Sequence, residues 1–276
     1  MSAASGAGTV RHGVYTPTFG EFDERSLAEL AARAEATGWD GFFVWDHLLW
    51  DPFESGLADT TVSLTAIALA TSRITFGALI SPLARRRPWK FARETVTLDR
   101  LSGGRLVVGV GGGVDDDFLS IGDAADPRER AARLDEALEV LTRFWSGETV
   151  TYEGRYHHVT DAVLRPRPVQ RPRPPIWVGG FWPNRRPFVR GSRWDGIFPL
   201  NRDQLEQPLP PDRLRECVDF VAGLRDGAPF DVAVSLHGQD PGPYAEAGAT
   251  WCLYGVDPWI DSLADARERV EHGPPR

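Results

Sequence analysis

Short apolar runs alternate with helix-period segments along almost the whole chain, and that rhythm is what most constrains the fold. Gly13–Thr18, Gly41–Trp45, Ile74–Leu79, Leu106–Gly109, Ile176–Val178, Gly196–Phe198, Val232–Leu236 and Thr250–Tyr254 read as strands, most of them of the fully buried kind. Between them the apolar spacing turns helical. Asp23 stands where a cap is needed, Leu27, Leu30, Ala31 and Ala34 share one face, and Gly38 is a stop. Thr60–Ala70 follows, then Pro88–Leu101, which opens on a proline suited to a first helical position. After the fourth strand the rhythm breaks. A long helix is expected over Arg128–Trp145, a hairpin over Thr149–Val159 turning at Glu153–Gly154, and an arginine–proline alternation over Leu164–Pro175. Further helices are expected near Asn184–Arg190, over Pro211–Ala222, after Asp240 and over Trp259–Glu271. Eight strands, each followed by a helix, predict a (β/α)8 TIM barrel of the α/β class with a small insertion between strands four and five. The 276 residues suit one such domain over 10–276. Met1–Gly8 is small and polar, so residues 1–9 read as a flexible tail rather than a signal peptide.

Composition removes several classes of function. The net charge of −8 argues against nucleic acid as a partner. No apolar run approaches the roughly 18 residues that span a bilayer, so no membrane partner and a cytoplasmic location are expected. Cys217 and Cys252 make no disulfide framework and read as reduced core residues. Lys90 is the only lysine and falls in a predicted helix, which excludes Schiff-base chemistry at a strand-end pocket.

Barrel enzymes place their chemistry on the loops after the strands. Here strand one is followed by Tyr15, Thr16 and Pro17, and strand two by Trp45, Asp46 and His47. Strand three ends in Ala78, Leu79, Ile80 and Ser81, and strand four in Gly109, Val110, Gly111, Gly112 and Gly113. Strand five ends in Trp177, Val178, Gly179, Gly180, Phe181 and Trp182, and strand six in Phe198 and Pro199. An aromatic, glycine-rich rim with one acid–histidine pair suits a flat conjugated ring better than a sugar or a metal. His47 is the first catalytic candidate, because imidazole gives or takes a proton near neutrality. Asp46 is expected to orient the loop or His47. A side chain at Gly109, Gly111 or Gly113 would hold the backbone away from a bound ring or phosphate; tight barrel packing is the alternative reading. Gly179 and Gly180 precede a short helix at Asn184, whose free N–H groups suit an anion, with Arg185 and Arg186 assisting unless they are simply solvated. Trp45, Trp50, Trp177 and Trp182 are candidates to wall an apolar substrate pocket, two of them being expected there and two in the core. The arginine–proline stretch is a stiff connector or, in the sharper reading, an attractor for an anionic cofactor tail.

The segment Gly38-Trp39-Asp40-Gly41-Phe42-Phe43-Val44-Trp45-Asp46-His47 resembles the second-strand signature of luciferase-like monooxygenases. Leu98-Asp99-Arg100-Leu101-Ser102-Gly103-Gly104-Arg105 followed by Gly109-Val110-Gly111 is similar to that family's most specific motif, Pro175–Gly180 to its fifth strand and Trp194-Asp195-Gly196 to its approach to strand six. The matches come in family order over about residues 10–255. The resemblance implies an oxidoreductase using FMN or the deazaflavin coenzyme F420, with the compact, arginine-rich chain leaning to F420. It implies a small organic substrate, either oxygenated or exchanging a hydride. It places His47 close to the ring, with Tyr15, Ala78, Leu79 and Ile80 among the cofactor contacts. It also implies a non-proline cis peptide around Ala78–Ile80, backing the ring. A homodimer is a further implication, and a flavin reductase or an F420-reducing dehydrogenase is the source of reductant such chemistry calls for. One departure stands out: where deazaflavin-dependent sugar dehydrogenases carry an acid after the strand-four glycines, this chain has Val114, with Asp115 one step later.

Two rivals stand beside this reading. A metal-dependent barrel hydrolase would want a His-x-His on strand one, where Tyr15 and Thr16 stand instead, so no metal is expected. A barrel that has lost its cofactor and binds a ligand or partner chain is separated from the enzyme by cofactor titration.

Overall fold

The computed structural model describes residues 10–50, 55–123, 126–202, 207–257 and 259–275; the tail expected over 1–9 lies outside the described residues. The first four strands are β1 (Arg11–Thr16), β2 (Gly41–Val44), β3 (Thr75–Ser81) and β4 (Leu106–Val110). A hairpin of β5 (Thr149–Glu153) and β6 (His158–Val163) intervenes. The series resumes with β7 (Ile176–Phe181), β8 (Gly196–Leu200), β9 (Asp231–Leu236) and β10 (Trp251–Gly255). The eight strands outside the hairpin close into a barrel in the order β1-β10-β9-β8-β7-β4-β3-β2, every neighbour parallel. The expected (β/α)8 barrel and its insertion are therefore present.

Three helices cover the first half: α1 (Glu24–Thr37), α2 (Thr60–Ala70) and α3 (Pro88–Leu101). Asp23 caps α1 by accepting from the Arg25 and Ser26 amides, and Gly38 ends it in the left-handed region at φ 94°. Between β4 and the hairpin lie the short α4 (Asp116–Leu119) and the long α5 (Pro127–Trp145). Then come α6 (Arg185–Gly191), α7 (Pro211–Ala222), α8 (Gly242–Glu246) and α9 (Leu263–Glu271). The last helix starts four residues later than expected from Trp259, because Ser262 and Asp265 form a reciprocal capping box that sets its first turn. That shift frees Trp259 to lie on the loop after β10. The turn of the hairpin also runs later than Glu153–Gly154, held by Glu136 of α5, which accepts from the amides of Arg155, Tyr156 and His157.

Side-chain alternation divides the strands into two cores. Outward residues such as Phe42, Val44, Cys252 and Tyr254 pack beneath the helices. Inward residues fill the barrel: Phe43, Leu79, Val107, Trp177, Phe198, Ala233, Trp251 and Leu253. Phe43, Trp177 and Trp251 meet one another with ring centroids 5.5–5.7 Å apart and make a solid floor at the strands' N-terminal end. Glycines on neighbouring strands make room for these rings. A Cβ on Gly41 would stand 2.7 Å from the Trp251 ring, and one on Gly196 2.6 Å from Trp177.

The arginine–proline stretch feeds the start of β7, at the floor end, with Arg173 paired to Asp195 and Arg171 turned back onto the Pro168 carbonyl. Both guanidiniums are thus engaged locally, as a stiff connector requires, rather than held out for an anionic cofactor tail. Cys217 and Cys252 are buried and unbridged, and burial pushes both thiols up to about 12. Among the described residues no helix is long and apolar enough to cross a membrane.

Candidate functional site

The C-terminal ends of the strands form the opposite face, and its most elaborate part lies after β2. Trp45, Asp46 and His47 leave the strand, and Leu48–Trp50 turn away as a loop. Asp46 does not meet His47. Its buried carboxylate takes Arg85 Nη2 at 2.6 Å and Arg86 Nη2 at 2.7 Å. Burial opposes ionisation of Asp46, but Arg86, Arg85 and the Ser81 hydroxyl outweigh it and hold the carboxyl below its usual range. The expected catalytic or orienting role of Asp46 toward His47 is thus corrected. Beyond the end of β2 the two side chains diverge: Asp46 meets Arg85 of the 3-10 turn Leu83–Arg85, while His47 meets a different carboxylate.

The partner of His47 is Asp117, from α4, with Nδ1 and Oδ2 3.2 Å apart. Asp117 has no solvent-accessible side-chain surface, whereas His47 keeps 15% of its own. Arg85 Nη1 reaches the same Oδ2 at 3.2 Å, so Arg85 bridges the two carboxylates. The amides of Leu48, Leu49 and Trp50 all donate to Asp117 Oδ1, at 2.9, 2.7 and 3.0 Å. Burial resists its charge, but the hydrogen bonds from His47 and these amides keep the Asp117 carboxyl far below the usual carboxylate range. The sequence alone offers Asp115–Asp117 only as a run of acids that would repel an anion. The overlooked signal was the apolar Phe118 beside Asp117, since a buried neighbour implies a short helix docked on the barrel.

Aromatic rings surround His47. The Trp50 ring lies 4.7 Å from the imidazole and Trp45 6.0 Å, with Trp259 a further 6.0 Å beyond Trp50. Trp45 and Trp50 therefore sit at the mouth. Trp177 and Trp182 do not: Trp177 is part of the floor, and Trp182 packs outside the barrel on Phe188 and Phe220. Of the four candidate tryptophans, Trp177 and Trp182 are therefore the pair that packs in the core.

Across the mouth, the ladder between β3 and β4 shifts register between Ala78 and Ser81, and the Leu79–Ile80 peptide there is cis, at the expected position. The Tyr15 hydroxyl donates to the Leu79 carbonyl at 2.7 Å and ties β1 to this bulge. Burial pushes the phenol up, so Tyr15 stays a donor. The strand-four glycines serve the bulge. A Cβ on Gly109 would fall 2.2 Å from the Ala78 carbonyl oxygen, and Cβ atoms on Gly111 and Gly179 would strike Ile80 at 2.7 and 2.6 Å. Gly113, at φ 70°, turns between Pro82 and Phe118. Gly112 alone of this run has open space where a Cβ would be. Gly180 is backed by Pro187, and Arg185 lies over the Phe220 ring at 5.0 Å, toward α7. The phosphate cradle expected from Gly180 and Arg185 is not assembled; its glycine and its guanidinium are taken up by packing.

The mouth nevertheless suits a flat heterocycle. Ile80 packs flat over Gly111 and Gly179, Gly112 leaves open space, and two buried polar atoms lack partners, Trp45 Nε1 and Ser235 Oγ. Ser235 points inward one layer above Ala233 on β9. Orphaned groups of this kind match the polar edge of a bound ring. Among the described residues no group of three or more His, Cys, Asp or Glu side chains is placed to hold a metal ion.

Residues 7–237 match the family model described as luciferase-like monooxygenase. The chain is 35% identical over 235 residues to the F420-dependent glucose-6-phosphate dehydrogenase of Intrasporangium calvum, covering 79% of this chain and 70% of that one. With the enzyme of the same name from Nakamurella multipartita it shares 33% over 172 residues, 61% of this chain and half of the relative's length. In fold it is similar to an F420-dependent secondary alcohol dehydrogenase solved with an F420–acetone adduct, with a TM-score of 0.78, 18% identity and coverage of 95% and 98%.

Proposed function

The chain belongs to the luciferase-like monooxygenase family, and from that premise we propose that it is a coenzyme F420-dependent oxidoreductase exchanging a hydride with a small alcohol or its carbonyl at the mouth of the barrel. The observation that carries this reading is His47, held at a strand end with part of its ring open and indoles on two sides. The similarity to the F420-dependent enzymes of Intrasporangium and Nakamurella supports F420 over FMN.

When bound, the deazaflavin supplies a two-electron hydride acceptor. Ile80, Gly111, Gly112 and Gly179 would seat its flat face, and Ser235 Oγ and Trp45 Nε1 would meet its polar edge. Oxidation of a secondary alcohol releases one hydride and one proton, and His47 takes that proton from the hydroxyl. Trp45 and Trp50 exclude water and hold an apolar body.

A phosphorylated sugar fits this mouth poorly. Arg85 and Arg86 beside His47 are already paired to carboxylates, and Lys90 sits on α3 paired to Glu94. Val114 replaces the acid of the sugar dehydrogenases. The substrate is therefore read as an alcohol with an apolar body. Turnover of added F420 with a panel of secondary alcohols, followed by loss of deazaflavin absorbance, tests this. Apolar secondary alcohols should outpace glucose 6-phosphate at least tenfold in kcat/KM. A preference for the sugar phosphate would reverse the substrate assignment, and turnover with neither would remove it.

A further inference from the structure

One carboxylate organises everything behind His47. Asp117 divides its two oxygens between two tasks: Oδ1 accepts three successive amides of the loop 48–50, while Oδ2 meets His47 Nδ1 and Arg85. Around it the charges balance. Arg85 and Arg86 stand against Asp46 and Asp117, with Glu94 at the outer edge of Arg86 at 3.7 Å. The helix that carries Asp117 is itself fixed, since Arg130 pairs with Asp115 and stacks on Phe118 at 4.7 Å. The carboxylate therefore has no freedom to follow a moving histidine.

We propose that Asp117 is the positioning residue of this site, holding His47 in the Nδ1–H tautomer and, through its other oxygen, locking the loop that carries Trp50 against it. This rests on the reading of His47 as the proton acceptor. An ionised carboxylate only accepts hydrogen bonds, so the nitrogen facing it carries the proton. In the neutral ring the lone pair then lies on Nε2, the nitrogen free to face a substrate hydroxyl. When Nε2 takes a proton, the new positive charge is already in contact with Asp117. Base and indole wall are thus held in place together, because the same side chain grips both.

The test is the Asp117→Asn substitution, read first by ¹⁵N NMR of the His47 ring in the full chain above its titration, without cofactor. The carboxamide can still offer its oxygen to the three loop amides, but its NH2 then faces Nδ1. That reverses the tautomer: wild type should show the proton on Nδ1, and the variant on Nε2. With F420 and an alcohol, kcat/KM should fall about 10³-fold, within the usual worth of a general base, while the F420 dissociation constant from fluorescence stays within about twofold. A wild-type ring protonated on Nε2 overturns the proposal, even if the variant fails to fold. So does a folded variant with an unchanged tautomer and unchanged kcat/KM. The base reading fails separately: full turnover in His47→Ala would sink it while leaving the NMR result standing.

Discussion

The two connections at either end of α2 are held by the same device. At the floor end, Glu35 of α1 accepts the successive amides of Ser72, Arg73 and Ile74, at 2.6–3.0 Å, and fixes the turn into β3. At the mouth, Asp117 accepts those of Leu48, Leu49 and Trp50 and fixes the turn out of β2. Both carboxyls are driven down by these bonds against the cost of burial. The difference lies in what else each one touches. Glu35 adds only the Ser72 hydroxyl and stays partly exposed. Asp117 is fully buried and adds a histidine and an arginine. A structural clamp becomes part of a reactive site when a titratable side chain shares its second oxygen and aromatic walls keep water away.

The largest effect that sharpens this contrast concerns chemistry. His47→Ala should lower turnover about 10³-fold, within the usual worth of a general base, with F420 affinity changed less than about twofold. Glu35→Gln should leave kcat/KM within about twofold. Steady-state kinetics on the two variants decide it, and comparable losses in both would erase the distinction between the ends.

The next effect is on the floor alone. Gly41→Ala places a Cβ among the Phe43 and Trp251 rings, 2.6 and 2.7 Å away, and should cost about 1–3 kcal/mol of stability. Urea unfolding would show it. An undiminished midpoint would mean that the floor is looser than its ring contacts indicate.

The smallest effect is the pH dependence of the Glu35 clamp. A carboxyl whose pKa is lowered on folding stabilises the protein above its unfolded value of about 4.3, and that stabilisation is lost as pH falls toward the folded value of about 2. Glu35→Gln should therefore cost about 1–2 kcal/mol at pH 7 and progressively less as the pH is lowered through that window. A deficit that persists unchanged to pH 2 would show that the charge of Glu35 is not what holds the turn.

Much of the scaffold was legible because its signals are local. Asp23 and Gly38 bound α1, and the buried runs Gly41–Val44 and Leu106–Val110 each read as strands on their own. The resemblance of the segment ending in Trp45-Asp46-His47 led to the strand end where the His47–Asp117 contact lies. Within the site, adjacency misled. Asp46 is next to His47 in sequence and faces away from it, while Asp117 lies 70 residues on and touches it. Which two of the four tryptophans belong to the core was not legible either; depth puts Trp177 in the floor and Trp182 outside the barrel. Arg85 and Ser235 gave no local signal, because a buried charge bridge and an orphaned hydroxyl exist only once the strands have closed.

The most direct test of the account is a fluorescence titration of the folded, cofactor-free protein with coenzyme F420 and, separately, with FMN. The account predicts saturable binding of F420 that is weakened when Ser235 is replaced by Val, with FMN binding much weaker. Tight binding of FMN alone would contradict the choice of cofactor, and binding of neither would point to a barrel that has kept its architecture and lost its redox chemistry.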